Sequence, residues 1–273
     1  MAQVSTLRLA KMSVDTSRTT VVVPNQSLPF KWDADFPGEN GRAVYELTLP
    51  ARAFYAASGS QALFALYVPR VGNQVQVWMN GHLIARQGLL DVALLDVSQM
   101  PLFLPVPSSL LHAHEPNLLV IQTTVQALRW GGLSEVYFGV EHELASHYAL
   151  AKLWQHTSYV VILVALLLMG LLSFLIWWRQ RAYESAKLYL YFVYSALAGS
   201  IAAVNHLLTQ HVMPWPVLGI VAAVALAWHV IFMSRFALEV VDRQENWVRF
   251  GMEPIKAEVP FPTKQPIDQP AIQ

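Results

Sequence analysis

A chain of 273 residues that is 55% hydrophobic and only 13% charged is more apolar than a soluble domain, and its formal net charge is zero. That balance excludes the electrostatic footprint of a nucleic-acid binder or a basic membrane-surface patch. The absence of cysteine excludes disulfides, thiolate metal sites and a cysteine nucleophile.

Residues 1–27 are polar and without period, and they read as an extended or partly disordered segment. Arg8, Lys11 and Arg18 lie there with no apolar h-region, so no secretory leader is expected. Residues 28–45 (LPFKWDADFPGENGRAVY) carry loop chemistry. Residues 45–49 alternate like a strand that Pro50 ends.

Residues 62–68 (ALFALYV) are short, continuously apolar and stopped by PRVGN. They suit a strand buried on both faces, although periodicity alone also allows a helix. QVQVWM, Asn80-Gly81 and HLIAR then predict a hairpin, because Asn-Gly supplies the positive φ angles of a type I′ turn. The prolines of residues 101–107 (PLFLPVP) predict an extended segment. Residues 108–113 look like one turn, 117–128 like a strand, and 133–140 like the last strand after Gly131-Gly132. Short strands with turns between them and no amphipathic helix predict an all-β sandwich over residues 28–140.

From Glu141 the pattern turns helical, and a juxtamembrane helix over 141–156 is expected to enter the membrane without a break. Residues 157–178 contain no charge, and thirteen of them are Leu, Ile, Val or Phe. At ~1.5 Å per residue the run covers about 33 Å, enough to cross a bilayer core. Further spans are expected at 188–208 and 212–234. Ser195, Gly199 and Ala203 form a small-residue stripe on the second, and Gly219, Ala223 and Ala227 form one on the third. Arg179, Arg181 and Lys187 crowd the first loop, whereas 209–215 has no Lys or Arg. The positive-inside rule therefore places the first loop and the carboxyl tail in the cytoplasm and the sandwich outside. The proline-rich residues 245–273 read as a disordered cytoplasmic tail.

This arrangement resembles the bacterial seven-transmembrane receptors with diverse intracellular signalling modules. The residues that carry the resemblance are Leu28-Pro29 and Trp32 before Pro37-Gly38, Leu66-Tyr67-Val68-Pro69-Arg70, and Val77-Trp78-Met79-Asn80-Gly81. They continue with Pro101-Leu102, Pro107, Leu110-Leu111, Asn117-Leu118-Leu119-Val120, Gly131-Gly132-Leu133-Ser134 and Tyr137-Phe138-Gly139. Leu188-Tyr189-Leu190-Tyr191-Phe192 matches the start of the family's second span. The resemblance implies an extracellular jelly-roll sensor domain followed by transmembrane α-helices. The family also has a leader, seven spans and an output module, so this chain reads as a truncated member or one that works with separate partners.

Little chemistry stands out. His112 with His114, and His142 with His147 and His156, lack metal-helix spacing, so no metal is expected. His206 and His229 are ionisable groups within spans, where such groups are rare and often functional. The carboxylates at Asp33, Asp35, Glu39, Glu135, Glu141 and Glu143 show no spacing that selects a catalytic pair. Neither a catalytic residue nor a cofactor is expected.

Trp32, Trp78 and Trp130 are candidate aromatic platforms whose blander role is packing, and Trp154, Trp177, Trp178 and Trp215 read as interfacial anchors. A carbohydrate or small polar ligand is expected near Arg70, Trp78, Asn80 and Trp130, because aromatic faces beside fork-like donors suit sugars. The leading function is the sensing and membrane half of a signal-transduction receptor in the cytoplasmic membrane. Its expected partners are membrane lipid, a second copy of the chain or a separate output protein, and no nucleic acid. The alternatives are a membrane-tethered carbohydrate-binding or scaffold protein, and an exported glycan-processing enzyme.

Overall fold

The computed structural model describes residues 4–49, 63–88, 96–112, 114–129, 131–183, 186–208, 213 and 215–251, with side chains to residue 241. Two antiparallel sheets enclose one core. The first has the order β1 (Ser5–Leu7), β12 (Val136–Val140), β6 (Phe64–Val68) and β9 (Leu102–Val106). The second runs β3 (Thr20–Ser27), β2 (Leu9–Thr16), β5 (Gly41–Leu49), β10 (Asn117–Val125), β7 (Gln74–Met79) and β8 (His82–Gln87). A small ribbon pairs β4 (Phe30–Lys31) with β11 (Gly132–Leu133).

Alternation builds the interior. Ala43, Tyr45, Leu47 and Leu49 of β5 and Leu119, Ile121 and Val125 of β10 point inward to meet Leu66, Val68, Phe138 and Val136 of the other sheet. Each such Leu, Val or Phe contributes about 1.5–3 kcal/mol by leaving water. The Asn80-Gly81 turn forms as its residues dictate, with φ of 49° and 83°. Pro105 sits in β9, at a sheet edge where a missing N–H costs least.

The amino-terminal residues depart from the sequence expectation. Residues 5–27 supply three strands of the sandwich, and Leu7, Ala10, Met12 and Val14 are buried in its core. A period of two runs through LAKMSVDT, carried by Ala and Met, which are weak strand formers. Residues 28–45 also hold more order than a loop, with β4, the one-turn helix α1 (Trp32–Asp35) and the first half of β5. Trp32 is fully buried rather than a platform; its Nε1–H donates to the Glu39 carbonyl at 2.8 Å and its ring packs 5.0 Å from Phe36.

Helix α2 (Glu141–Lys152) lies on the outer face of the first sheet. Leu144 packs on Ala65 and Tyr67, and Tyr148 stacks on Phe103 with centroids 5.0 Å apart. This cover explains why all five residues of β6 are buried. A π-helical turn (Leu153–Thr157) joins α2 to α3 (Ser158–Gln180), giving one continuous 40-residue helix.

Helices α4 (Lys187–Leu207) and α5 (Val217–Gly251) complete a three-helix bundle with α4 in the middle. Among the described residues, three helices are long and apolar enough to cross a membrane. The α4 stripe of Ser195, Gly199 and Ala203 is buried as expected. The α5 stripe is not: Ala223 and Ala227 are exposed, and the contact side carries buried Ala225 with half-buried Ala222 and His229. Helix α5 also starts at Val217, later than residue 212, and continues past residue 244 to Gly251. Trp215-Pro216 precedes its first turn, which fixes the later start.

Candidate functional site

Four residues formed the candidate site in the sequence, and the structure does not gather them. Asn80 is occupied by its own loop. Its Nδ2 donates to the Leu110 carbonyl and to Asn117 Oδ1, both at 2.7 Å, and its Oδ1 accepts from the Leu118 N–H at 2.8 Å. Trp78 is half-buried on the outer face of the second sheet, between Val120 and Leu83. Arg70 lies beyond the opposite end of β7 from Asn80, and that strand alone separates the two ends by roughly 20 Å. Trp130 lies outside the described residues. Among the three described members, Arg70 therefore stands apart from Trp78 and Asn80.

Arg70 borders a cleft of about 450 Å³ lined by Pro29, Phe30, Lys31, Asp33, Gly132 and Ser134, among others. Two segments about a hundred residues apart make it. Lys31 pairs with Gly132 and Phe30 with Leu133, and the backbones meet so closely that a Cβ on Gly132 would sit 2.1 Å from the Phe30 carbonyl oxygen. The chain after β6 is tied to the same ribbon: Ser134 N–H donates to the Arg70 carbonyl at 3.0 Å, and Arg70 N–H donates to Ser134 Oγ at 3.1 Å. The backbone is thus fixed while the Arg70 and Lys31 side chains are exposed and form no ion pair with any described residue. Two cations and the Asp33 carboxylate can hold a polar ligand, and its anionic groups best of all.

Asp33 also reaches out of the cleft. Its Oδ1 accepts the Leu128 N–H at 2.9 Å, next to Asn40 Oδ1 on Ala127 N–H and Asn73 Oδ1 on Gln126 N–H, both at 2.8 Å. Three consecutive amides are therefore held by side chains, which keeps Leu128 at φ 61°, an uncommon value outside glycine. The next residue, Arg129, is buried and ion-paired to buried Asp96, whose Oδ1 also accepts from Asn73 Nδ2 at 3.1 Å. Burial pulls the Arg129 guanidinium below its ordinary value, and Asp96 draws it back up.

This pinned loop meets the helical bundle. Trp215 Nε1–H donates to the Ala127 carbonyl at 2.8 Å, and the Arg129 guanidinium lies 4.9 Å from the centroid of the Trp215 ring. Nothing local in the sequence marks Asn40, Asn73 or Asp96 for this role, because each acts on residues far along the chain. Trp215, expected as an interfacial anchor, also links sandwich and bundle. Among the described residues no three metal-capable side chains lie together.

No family model and no curated protein matches the chain. Among solved structures it is similar to a GH2 β-galacturonidase from Eisenbergiella tayi, at 12% identity over 50% of this chain and 24% of that one, with a TM-score of 0.36. It is also similar to a β-glucuronidase from Ruminococcus gnavus, at 14% identity over 51% and 29% of the two chains and a TM-score of 0.39. A β-D-glucuronidase from Dictyoglomus thermophilum matches at 11% identity over 51% and 28%, with a TM-score of 0.35. The chain spans about a quarter of the length of these enzymes. Likeness at this level carries no argument about activity.

Proposed function

We propose that this chain is the ligand-sensing and membrane half of a bacterial signal-transduction receptor, resembling the seven-transmembrane receptors with intracellular signalling modules. The sandwich stands outside the cytoplasmic membrane. The ligand is a carbohydrate or small polar molecule held in the Lys31–Arg70 cleft. One observation carries this reading: the cleft is connected to two of the three long helices. Asp33 joins it through Leu128 and Ala127 to Trp215 and α5, and Ser134 joins it through β12 to α2 and α3. A ligand that favours one arrangement of Asp33 or Arg70 biases the packing of the bundle by its differential affinity for the two states.

The surface of the helices supports the membrane part of the reading. No residue of α3 is buried, and its exposed Val161, Leu168, Leu172 and Leu175 would form an apolar patch far too large for water. Arg181, in the cation-rich first loop, lies 4.8 Å from the Trp178 ring centroid, as an interfacial pair would. Alkaline phosphatase fused after Gln210 should be active and the same fusion after Arg181 inactive. The reverse pattern would overturn the orientation.

For the ligand, the full chain in nanodiscs should be screened against labelled glycans and small polar acids. Arg70→Ala and Lys31→Ala should each weaken the best binder by about tenfold or more, the loss expected for a charged hydrogen bond. Trp78→Ala, on the outer sheet face, should leave binding unchanged. Ligand should also alter hydrogen exchange at residues 215–220. Binding without that alteration would make the chain a membrane-tethered binding protein with no signalling role.

A further inference from the structure

A second site lies within the bundle, and the case for it rests on the membrane reading above. A cleft of about 420 Å³ opens among α3, α4 and α5, and its polar lining comes from Tyr159, His206 and His229 amid Ala203, Ala223 and Leu226. His206 stacks on Tyr159 with centroids 4.3 Å apart, and its Nδ1 is buried with no hydrogen-bond partner among the described residues. A buried nitrogen left this way calls for a partner. Ala223 is exposed and gives the cleft an open wall.

The protonation of His229 follows from its contacts. Its Nδ1 lies 2.9 Å from the Ser195 carbonyl oxygen, which can only accept, so Nδ1 carries the hydrogen. Ser195 Oγ donates to the His229 carbonyl at 3.1 Å, which uses the single hydroxyl hydrogen and agrees with that assignment. In the neutral ring Nε2 is then a bare acceptor, with no partner among the described residues. It needs a donor from whatever fills the cleft.

Spacing narrows the class of ligand. His229 Nδ1 sits against Gly199, where an added Cβ would lie 2.7 Å from it. Gly199 and His206 are two turns apart on α4, so the two imidazoles stand at different heights in the cleft. A ligand that meets both needs a polar atom at each end, as a six-membered ring with para oxygens has. The walls are apolar and open to lipid, so the molecule must dissolve in the bilayer.

We propose that this cleft binds a membrane-soluble para-quinol, with one hydroxyl donating to His229 Nε2 and the other paired with His206. The oxidised quinone has no hydroxyl to donate and binds less well. The full chain would be placed in nanodiscs under anaerobic conditions and titrated with tritiated decyl-benzoquinol, decyl-benzoquinone and decanol, with empty nanodiscs as the blank. The quinol should bind about tenfold more tightly than the quinone, and decanol should not exceed the blank.

His206→Phe keeps the stack on Tyr159 but removes the nitrogens, and it should weaken quinol binding about tenfold. Ala223→Phe fills the cleft from its exposed wall and should abolish binding without touching either histidine. Equal binding of the two redox forms, or quinol binding that survives Ala223→Phe, would overturn the proposal. Co-flotation of the full chain with lipid vesicles tests the membrane reading separately, so failure of that reading is distinguishable from failure of the site.

Discussion

A soluble fragment of residues 4–152 should fold, and the same fragment shortened to 28–152 should not. Strand β2 lies between β3 and β5 in the second sheet, and β1 caps the first. Deleting them strips Leu7, Met12 and Val14 from the core and leaves both β5 and β12 with an unpaired edge. At about 1.5–3 kcal/mol per large buried side chain, the loss approaches the 5–15 kcal/mol that stabilises a whole domain. The fragment must also keep α2, because Leu144 and Tyr148 cover Ala65, Tyr67 and Phe103. Circular dichroism of residues 4–152 should show strand and helix with a cooperative melt. A cooperative melt at the same temperature from 28–152 would mean that the three amino-terminal strands are dispensable.

The sequence revealed those parts of the fold whose signal is local. Asn80-Gly81 fixes its turn by backbone geometry alone, and the unbroken apolar run of β6 marks a strand covered on both sides. The period in β2 was present but faint, because two of its three inward residues, Ala10 and Met12, are weak strand formers. On α5 small residues occur all around the helix, so composition could not choose between the stripe through Ala223 and the true contact side through Ala222 and Ala225. The cleft was legible only as Arg70. Its other cation, Lys31, arrives through a ribbon pairing between segments about a hundred residues apart, and no periodicity encodes such a pairing.

Asp96→Ala should destabilise the protein by about 3–5 kcal/mol, because it leaves the buried Arg129 guanidinium without its counter-charge. The carboxylate also accepts from Asn73 Nδ2 at 3.1 Å and the Ser98 N–H at 2.9 Å, so its removal unpairs further buried donors. The double variant Asp96→Leu with Arg129→Met should recover most of the loss, since an apolar pair of similar volume often replaces a buried ion pair without penalty. Denaturant unfolding of the 4–152 fragment measures both. A loss below about 1 kcal/mol for the single variant would be the behaviour of an exposed ion pair and would contradict the burial described here. In the full chain Asp96→Ala should also loosen the contact between Arg129 and Trp215, visible as faster hydrogen exchange at the start of α5.

The π-helical turn at Leu153–Thr157 sets the azimuth of the molecule. Such a turn amounts to one residue inserted into an α-helix, and one residue is ~100° of rotation about the axis. Leu144, Tyr148 and Ala151 face the sandwich on one side of the turn, whereas Tyr159, Ile162 and Leu166 face the bundle on the other. Without the insertion the two sets would fall on nearly the same side of a straight rod. With it, the sandwich is swung by about a quarter of a revolution relative to the bundle. A helix that carries this offset fixes the side on which the β-domain stands over the bundle, and the Ala127–Trp215 hydrogen bond ties it there a second time.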